Sequence, residues 1–126
     1  MRLLIDSAFV IDYLNGQPEA RARWIATYAK GDEPVINEIV VCEVRAGLRE
    51  REVRDFEIFL EPIEFIQPGP DHAMLAGRWR AEARKLGHSL SLADALIAAA
   101  ADAADAAVLT RNVRDFAMIP VRVESY

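Results

Sequence analysis

The chain has 126 residues, of which 52% are hydrophobic and 28% are charged, so residues 1–126 can form one domain with a hydrophobic core but not two. Its formal net charge of −5 argues against binding nucleic acid or anionic membranes through bulk charge alone. The single cysteine, Cys42, excludes an internal disulfide and a zinc cluster, and it favours a reducing, cytoplasmic location. No apolar run approaches the roughly 20 residues of a membrane span, and Asp6 interrupts the first apolar segment too early for a signal peptide.

Short apolar runs alternate with segments of helical spacing in the first half of the chain. The pattern predicts strands at 3–5 and 34–36 and helices at 8–14, 18–29, 38–47 and 50–60. Asp6 and Ser7 offer oxygens that can cap the first helix, and Asn37 can cap the third. Each of these two strands is therefore expected to run directly into a helix.

The second half of the chain continues this alternation. The pattern predicts helices at 71–86 and 91–104 and strands at 63–66, 107–109 and 121–123, with a loop at 68–70 and a turn at 110–112. Such an alternation predicts an α/β fold of three layers, with a short, mainly parallel sheet flanked by helices. In folds of this kind, ligands bind at the carboxyl ends of the strands.

Asp6 lies where such a sheet presents its ligands, because it directly follows the first predicted strand. The alternative is that its carboxylate only caps the helix that follows. Most other acids, such as Glu50, Glu57 and Glu82, lie among charged neighbours and are expected to be solvated.

Glu43 is predicted to lie on an apolar helix face. The residues three and four positions away on either side of it are Ile39, Val40, Ala46 and Gly47. A carboxylate on a buried face needs a cation partner or must become neutral. The alternative to a binding role is an ion pair with a distant arginine.

Asp94 repeats this pattern at the start of the alanine-rich helix. The residues at the same offsets from it are Leu90, Ser91, Ile97 and Ala98. Asp94 can instead complete a capping box with Ser91. That role is compatible with ligand binding, because a helix N-terminus stabilises an ionised carboxylate.

A fourth acid, Asp115, follows the turn after the predicted strand at 107–109. Several carboxylates that converge at strand ends raise one another's pKa unless a cation compensates them. Carboxylate oxygens suit Mg²⁺ or Mn²⁺, whereas zinc prefers His or Cys. His72 and His88 have no metal-binding spacing and are expected to be surface histidines.

Four segments carry a further signal in their order and spacing. They are LIDS at 4–7 with VIDYL at 10–14, CEVRAG at 42–47, ADALIAA at 93–99 and LTRNVRDF at 109–116. Together they resemble PIN-domain ribonucleases over the full length of the chain, specifically the VapC-type toxins of bacterial toxin–antitoxin modules. The resemblance implies a PIN-like fold and metal-dependent endonucleolytic hydrolysis of RNA. It also implies a small antitoxin protein as partner and a homodimer.

Three acids match the metal-binding acids of this family: Asp6, Glu43 and Asp94. The resemblance therefore implies that Mg²⁺ or Mn²⁺ is held by Asp6 and Asp94, directly or through water. Glu43 is then a further ligand or orients the attacking water. Ser7 is expected to support this site.

The fourth acid departs from the family pattern. Relatives often carry an aspartate two residues after the threonine that Thr110 matches, whereas this chain has Asn112 there and Asp115 three residues further on. We predict that Asp115 contributes through water, Asn112 orients it, and Thr110 caps the turn. A second departure is Asn37 and Glu38, where many relatives have Thr or Ser.

Arginine dominates the basic residues, since thirteen of the fifteen are Arg. Arginine binds phosphate through two parallel hydrogen bonds. Arg45, Arg111 and Arg114 lie beside the site motifs and are predicted to contact RNA. The alternative for each is solvation or an ion pair with a nearby acid.

The first two helices carry more large aromatic residues than one core face needs, namely Phe9, Tyr13, Trp24 and Tyr28. This excess predicts an apolar surface that a protein partner covers. Simple core packing is the alternative. The resemblance favours a small antitoxin that also places a basic side chain in the acidic site.

Three other functions compete with the ribonuclease. A phosphorelay receiver domain has this length and fold class, but it needs a lysine after a late strand, and Lys30 and Lys85 fall in predicted helices. A phosphatase with an aspartate nucleophile usually has a second aspartate where this chain has Ala8. A PIN fold that only binds, without catalysis, is the third alternative, and Asn112 favours it.

Overall fold

The computed structural model describes all residues from Met1 to Tyr126. The strands are β1 (Arg2–Ile5), β2 (Glu33–Asn37), β3 (Glu64–Ile66), β4 (Ala106–Leu109) and β5 (Val123–Glu124). The helices are α1 (Ser7–Leu14), α2 (Pro18–Ala29), α3 (Glu38–Gly47), α4 (Glu50–Leu60), α5 (Pro70–Lys85) and α6 (Leu92–Ala103), with a short 3-10 helix (Val113–Phe116). Every predicted strand and helix is present, with ends that differ by one or two residues. The 3-10 helix directly follows the turn predicted at 110–112.

The five strands form one parallel sheet in the order β3-β2-β1-β4-β5. The central strand β1 pairs with β2 on one side and with β4 on the other, so that Leu4 lies opposite both Val35 and Val108. The predicted α/β architecture is confirmed. The receiver alternative is wrong, because receiver domains have the strand order 2-1-3-4-5.

The order of the strands places a crevice between β1 and β4. The connection from β1 to β2 through α1 and α2 and the connection from β2 to β3 through α3 and α4 run in the same direction along the sheet. The connection from β3 to β4 through α5 and α6 runs back across β2 and β1. Right-handed crossovers then put the two groups of helices on opposite faces. Ligands in open α/β sheets bind at the carboxyl edge where the order reverses, which here is the end of β1 and β4.

The hydrophobic core is built on the two central strands and on α6. Residues 3–5 of β1 and 107–109 of β4 are almost completely buried, as are the consecutive alanines at 98–101. Alanine lets α6 approach the sheet closely without leaving a void. The N-terminus of α6, which carries Asp94, is thereby fixed relative to the strand ends.

The aromatic residues of the first two helices pack mostly inward. The Trp24 ring packs at a tilt against Phe59 of α4 and edge-on against Tyr28, with centroids 5.0 Å apart in both pairs, and Phe9 is fully buried. The expected excess of exposed aromatics is therefore wrong for Phe9 and Trp24, because Trp24 packs on Phe59 of α4 and Phe9 packs on Trp24 and Tyr126. The large apolar side chains that remain exposed on α1, α2 and α4 are Ile11, Ile25, Tyr28 and Ile58.

No helix of this structure combines the length and the apolar character that are needed to cross a membrane.

Candidate active site

The centre of the site is Asp6, which lies at the junction of β1 and α1. Its side chain is the N-cap of α1, since Oδ1 accepts a hydrogen bond from the Ser7 amide at 2.9 Å. The other oxygen, Oδ2, accepts from the Thr110 hydroxyl at 2.7 Å. The capping alternative is therefore correct for Oδ1, whereas Oδ2 is held by Thr110, which directly follows the neighbouring strand β4. Asp6 is only 4% exposed.

The loop after β4 is organised by Thr110, which is fully buried. Its hydroxyl oxygen accepts a hydrogen bond from the Asn112 amide at 2.9 Å, which is the capping contact expected for this turn. The chain then enters the 3-10 helix, and the Asp115 amide donates to the Asn112 carbonyl oxygen. This helical turn returns Asp115 toward the strand ends, whereas the Asn112 side chain is exposed and makes no hydrogen bond.

Asp94 lies in the first turn of α6 and is partly buried. Its amide donates to the Ser91 hydroxyl oxygen at 3.0 Å. The reciprocal bond of a capping box, from the Ser91 amide to the Asp94 carboxylate, is not formed. Capping therefore involves the backbone of Asp94, while the Ser91 hydroxyl also lies close enough to the carboxylate to lower the pKa of Asp94.

The expectation that Glu43 is buried on an apolar face is wrong. Glu43 is exposed, as are Ala46 and Gly47, and the buried stripe of α3 runs through Val40 and Val44. Successive residues of a helix are about 100° apart, so a position next to Val44 lies outside that stripe. The alternative of an arginine partner is also absent, because Glu43 forms no ion pair.

These four acids influence one another electrostatically. Burial raises the pKa of Asp6; the hydrogen bonds from Thr110 and Ser7 oppose the shift, and the charges of Glu43 and Asp115 add to it. Burial likewise raises the pKa of Asp94; the hydrogen bond from the Ser91 hydroxyl opposes the shift, and the charges of Asp115 and Asp6 add to it. None of the four acids has a basic side chain within ion-pair distance. The cluster is an uncompensated negative site at the carboxyl edge of the sheet.

The chemistry of the cluster fits a hard divalent cation. All of its donors are carboxylate oxygens, which Mg²⁺ and Mn²⁺ prefer. The site is not preformed, because no three His, Cys, Asp or Glu side chains are close enough together to hold an ion as they stand. Binding therefore requires side-chain adjustment, which the exposed Glu43 and Asp115 allow. His88 is exposed and His72 is partly buried, and neither belongs to a metal-binding group.

Two of the three predicted RNA-contacting arginines are in ion pairs. Arg45 donates to Glu50 at 2.8 Å on the surface, and Arg111 donates to Asp12 at 2.7 Å. Arg114 is exposed and forms no ion pair. The ion-pair alternative thus describes Arg45 and Arg111 as they stand in the structure.

Sequence reasoning missed Asp12 and Tyr126. Asp12 is buried in α1 and also accepts a hydrogen bond from the Tyr126 hydroxyl at 2.7 Å. A signal for Asp12 was present, because Ala8 and Phe9, four and three residues before it, are apolar. No local pattern could have pointed to Tyr126, which lies 114 residues away.

The four carboxylates lie without basic partners at the topological switch point of a parallel α/β sheet. Such an arrangement is typical of hydrolases that bind a divalent cation. The PIN domain family matches residues 3–121 of this chain. The chain is 35% identical over 117 residues to ribonuclease VapC19 of Mycobacterium tuberculosis, a match that covers 93% of this chain and 94% of the relative. The chain therefore belongs to the PIN-domain family and, within it, to the VapC group.

Solved structures support the same assignment. The VapBC2 complex of Rickettsia felis bound to a promoter DNA fragment superposes with a TM-score of 0.87 at 25% identity, covering 100% of this chain and 99% of that chain. DNA-bound VapBC of Salmonella typhimurium gives a TM-score of 0.85 at 25% identity, covering 99% and 98%. Family membership makes the phosphatase alternative wrong as well.

Proposed function

We propose that this protein is a Mg²⁺- or Mn²⁺-dependent endoribonuclease that acts as the toxin of a toxin–antitoxin pair. The observation that carries the proposal is the set of four mutually repelling carboxylates, Asp6, Glu43, Asp94 and Asp115, in a PIN fold. The similarity to proteins named ribonuclease VapC points to RNA as the substrate. A reducing cytoplasm, where RNA is abundant, is the proposed location.

The burial and the contacts of each residue indicate its proposed role in hydrolysis. A bound divalent ion would lower the pKa of a coordinated water and offset the charge of the attacked phosphate. Asp6 and Asp94 are the proposed primary ligands, because they are the most enclosed of the four acids. Thr110 and the Ser7 amide fix the orientation of the Asp6 carboxylate through hydrogen bonds at 2.7 and 2.9 Å.

The exposed acids complete the site. Glu43 is proposed to bind the ion or to orient the attacking water. Asp115 is proposed to contribute negative charge through a bound water that the amide side chain of Asn112 orients. Arg114 is exposed, has no ion-pair partner and is proposed to contact RNA.

A protein partner belongs to the same proposal. The structural neighbours are VapBC complexes, and one is described as a toxin–antitoxin complex from Klebsiella pneumoniae, at 29% identity and a TM-score of 0.79. We infer that a small antitoxin covers the apolar surface formed by Ile25, Tyr28 and Ile58, and that a basic side chain of the antitoxin enters the acidic cluster. We further infer that the toxin forms a homodimer.

Metal removal tests the enzymatic part. The purified protein, treated with EDTA and dialysed, should lose cleavage of a labelled RNA transcript and regain it with Mg²⁺ or Mn²⁺. Cleavage that survives metal removal would overturn the mechanism, and the absence of cleavage with either ion would favour the binding-only PIN fold. Co-purification with the product of the neighbouring gene tests the toxin assignment, and a protein that is harmless and recovered alone contradicts it.

A further inference from the structure

A partly buried hydrogen-bond network outside the acidic cluster joins α1 to the loop after β4. At its centre is Asp12, which is 7% exposed. Arg111 Nη1 donates to Asp12 Oδ1 at 2.7 Å and to Oδ2 at 2.8 Å, and the Tyr126 hydroxyl donates to Oδ2 at 2.7 Å. The hydrolytic roles described above use neither Asp12 nor Tyr126.

The network adjoins the acidic cluster through the chain itself. Arg111 directly follows Thr110, whose hydroxyl donates to Asp6. Burial and the neighbouring Asp12 hold the pKa of Tyr126 well above its usual value, and the charge of Asp6 raises it further. Tyr126 therefore remains a neutral donor, and the network lies within electrostatic reach of the proposed catalytic site.

Arg111 is anchored at one end and open at the other. Only Nη1 is used within the protein, while Nε and Nη2 have no hydrogen-bond acceptor, and the side chain is 50% exposed. A guanidinium that is already held by a buried carboxylate has lost much of its rotamer freedom before it meets a ligand. Two free donor groups in one plane match the oxygens of a phosphate.

We propose that Asp12 and Tyr126 are positioning residues that hold Arg111 as a fixed contact for a backbone phosphate of single-stranded RNA next to the acidic cluster. The proposal rests on the proposed ribonuclease function, which supplies the RNA. A site of four carboxylates repels the phosphate backbone, so binding depends on basic groups held beside it. Tyr126 in turn is held by its edge-on contact with the Phe9 ring, with centroids 4.9 Å apart.

The test measures binding of a fluorescent single-stranded RNA of mixed sequence and about a dozen nucleotides. Binding is measured in Mg²⁺ on an Asp94→Asn background, so that the RNA stays intact. Arg111→Gln should weaken binding about five- to tenfold and lower the slope of log affinity against log salt by about one. The matched control is Arg78→Gln on α5, whose arginine is mostly exposed and only loosely paired with Glu82 at 3.8 Å.

Asp12→Asn separates positioning from simple charge. Loss of a negative charge near the site should strengthen RNA binding if Asp12 acts only through its field. Positioning predicts the reverse, a severalfold loss of affinity, because asparagine cannot hold the guanidinium through charge-assisted bonds. If Asp12→Asn fails to fold, Tyr126→Phe carries the test, since it keeps the ring on Phe9 and removes only the hydroxyl.

Tyr126→Phe should weaken RNA binding about twofold or more. The control is Tyr13→Phe, which should not weaken it, because the Tyr13 ring packs on Phe59 and its hydroxyl makes no hydrogen bond. In the wild-type background, Arg111→Gln and Tyr126→Phe should raise KM more than they lower kcat. A purely structural network would instead lower the melting temperature and leave KM unchanged.

The outcomes separate this inference from the proposed function. A protein that binds RNA through Arg111 without cleaving it supports the inference and contradicts the enzyme. Cleavage with unchanged affinity and salt slope in Arg111→Gln supports the enzyme and overturns the inference. Weaker binding in Arg111→Gln together with unchanged or stronger binding in both Asp12→Asn and Tyr126→Phe overturns the positioning roles.

Discussion

Two buried carboxylates lie on either side of the first turn of α1, and they differ in what surrounds them. Asp6, the N-cap, is 4% exposed, and Asp12, in the second half of the helix, is 7% exposed. Asp12 has a guanidinium and a phenol as partners. Asp6 has one hydroxyl and one amide, with the charges of Glu43 and Asp115 nearby.

The comparison shows that burial of an acid alone does not identify a binding site. The fold supplies a cation for Asp12, and the resulting pair is complete within the chain. Burial raises the pKa of Asp6, the charges of Glu43 and Asp115 add to the shift, and the fold supplies no cation to offset it. A buried acid that has no cation partner within its own chain marks the place where a cation from outside the chain is expected to bind.

The largest effect on RNA cleavage is expected when an acid is removed from the cluster around Asp6, because the pair around Asp12 has no catalytic role. Asp94→Ala should lower the rate of RNA cleavage by at least about a hundredfold, because a proposed metal ligand is lost. Asp102→Ala is the matched control, since Asp102 is exposed on the same helix. Undiminished cleavage by Asp94→Ala would remove the cluster from catalysis.

Disruption of the ion pair between Asp12 and Arg111 should instead affect the stability of the fold. Asp12→Ala leaves the Tyr126 hydroxyl and one guanidinium nitrogen without their partner, and it should lower the free energy of unfolding by about 1–3 kcal/mol. Chemical denaturation with and without Mg²⁺ measures the change. A variant as stable as the wild type would show that the pair contributes little to the fold.

Variants of Asn112 and Asp115 test which of these two residues supplies the fourth position of the cluster. If Asp115 supplies charge through water, Asp115→Asn should raise the Mg²⁺ concentration for half-maximal cleavage by up to about tenfold, and Asn112→Ala should have a smaller effect. Titrations of Mg²⁺ against cleavage rate for these variants and for Asn112→Asp decide the order. The opposite order would assign the position to Asn112, and unchanged metal dependence in both would exclude this loop.

The smallest expected effect has an unusual sign. The folded-state pKa of Asp94 is raised, so stability is lost as pH rises from the unfolded-state pKa, near about 4, through the folded-state value. Without metal, Asp94→Asn should therefore raise the melting temperature by a few degrees at neutral pH, and the difference should shrink in acid. Asp6→Asn should act in the same direction, less the cost to its two hydrogen bonds.

The same melting experiment tests the shared cation. Added Mg²⁺ should raise the melting temperature of the wild type more than that of either asparagine variant, because the ion binds the folded state through these acids. Asp102→Asn is the control and should respond like the wild type. Equal metal-induced shifts in all four proteins would contradict a common site.

The sequence by itself determined the order of strands and helices, and it placed Asp6 and Thr110 at strand ends. Both follow from local rules, since apolar runs and caps depend on neighbours a few residues apart. The meeting of Asp6 with Thr110 required in addition that β1 and β4 be neighbours in the sheet, because only the carboxyl ends of adjacent parallel strands lie side by side at one edge. The strand order itself was not readable from any segment.

Tertiary structure alone decided which charged side chains find partners. Glu43 has apolar neighbours along its helix but is exposed, because the packing of α3 is centred on Val40 and Val44. Arg111 meets Asp12 across 99 residues and Tyr126 meets it across 114. Burial and ion pairing are set by contacts between distant segments, which helical periodicity does not encode, so the difference between Asp6 and Asp12 became visible only in the folded chain.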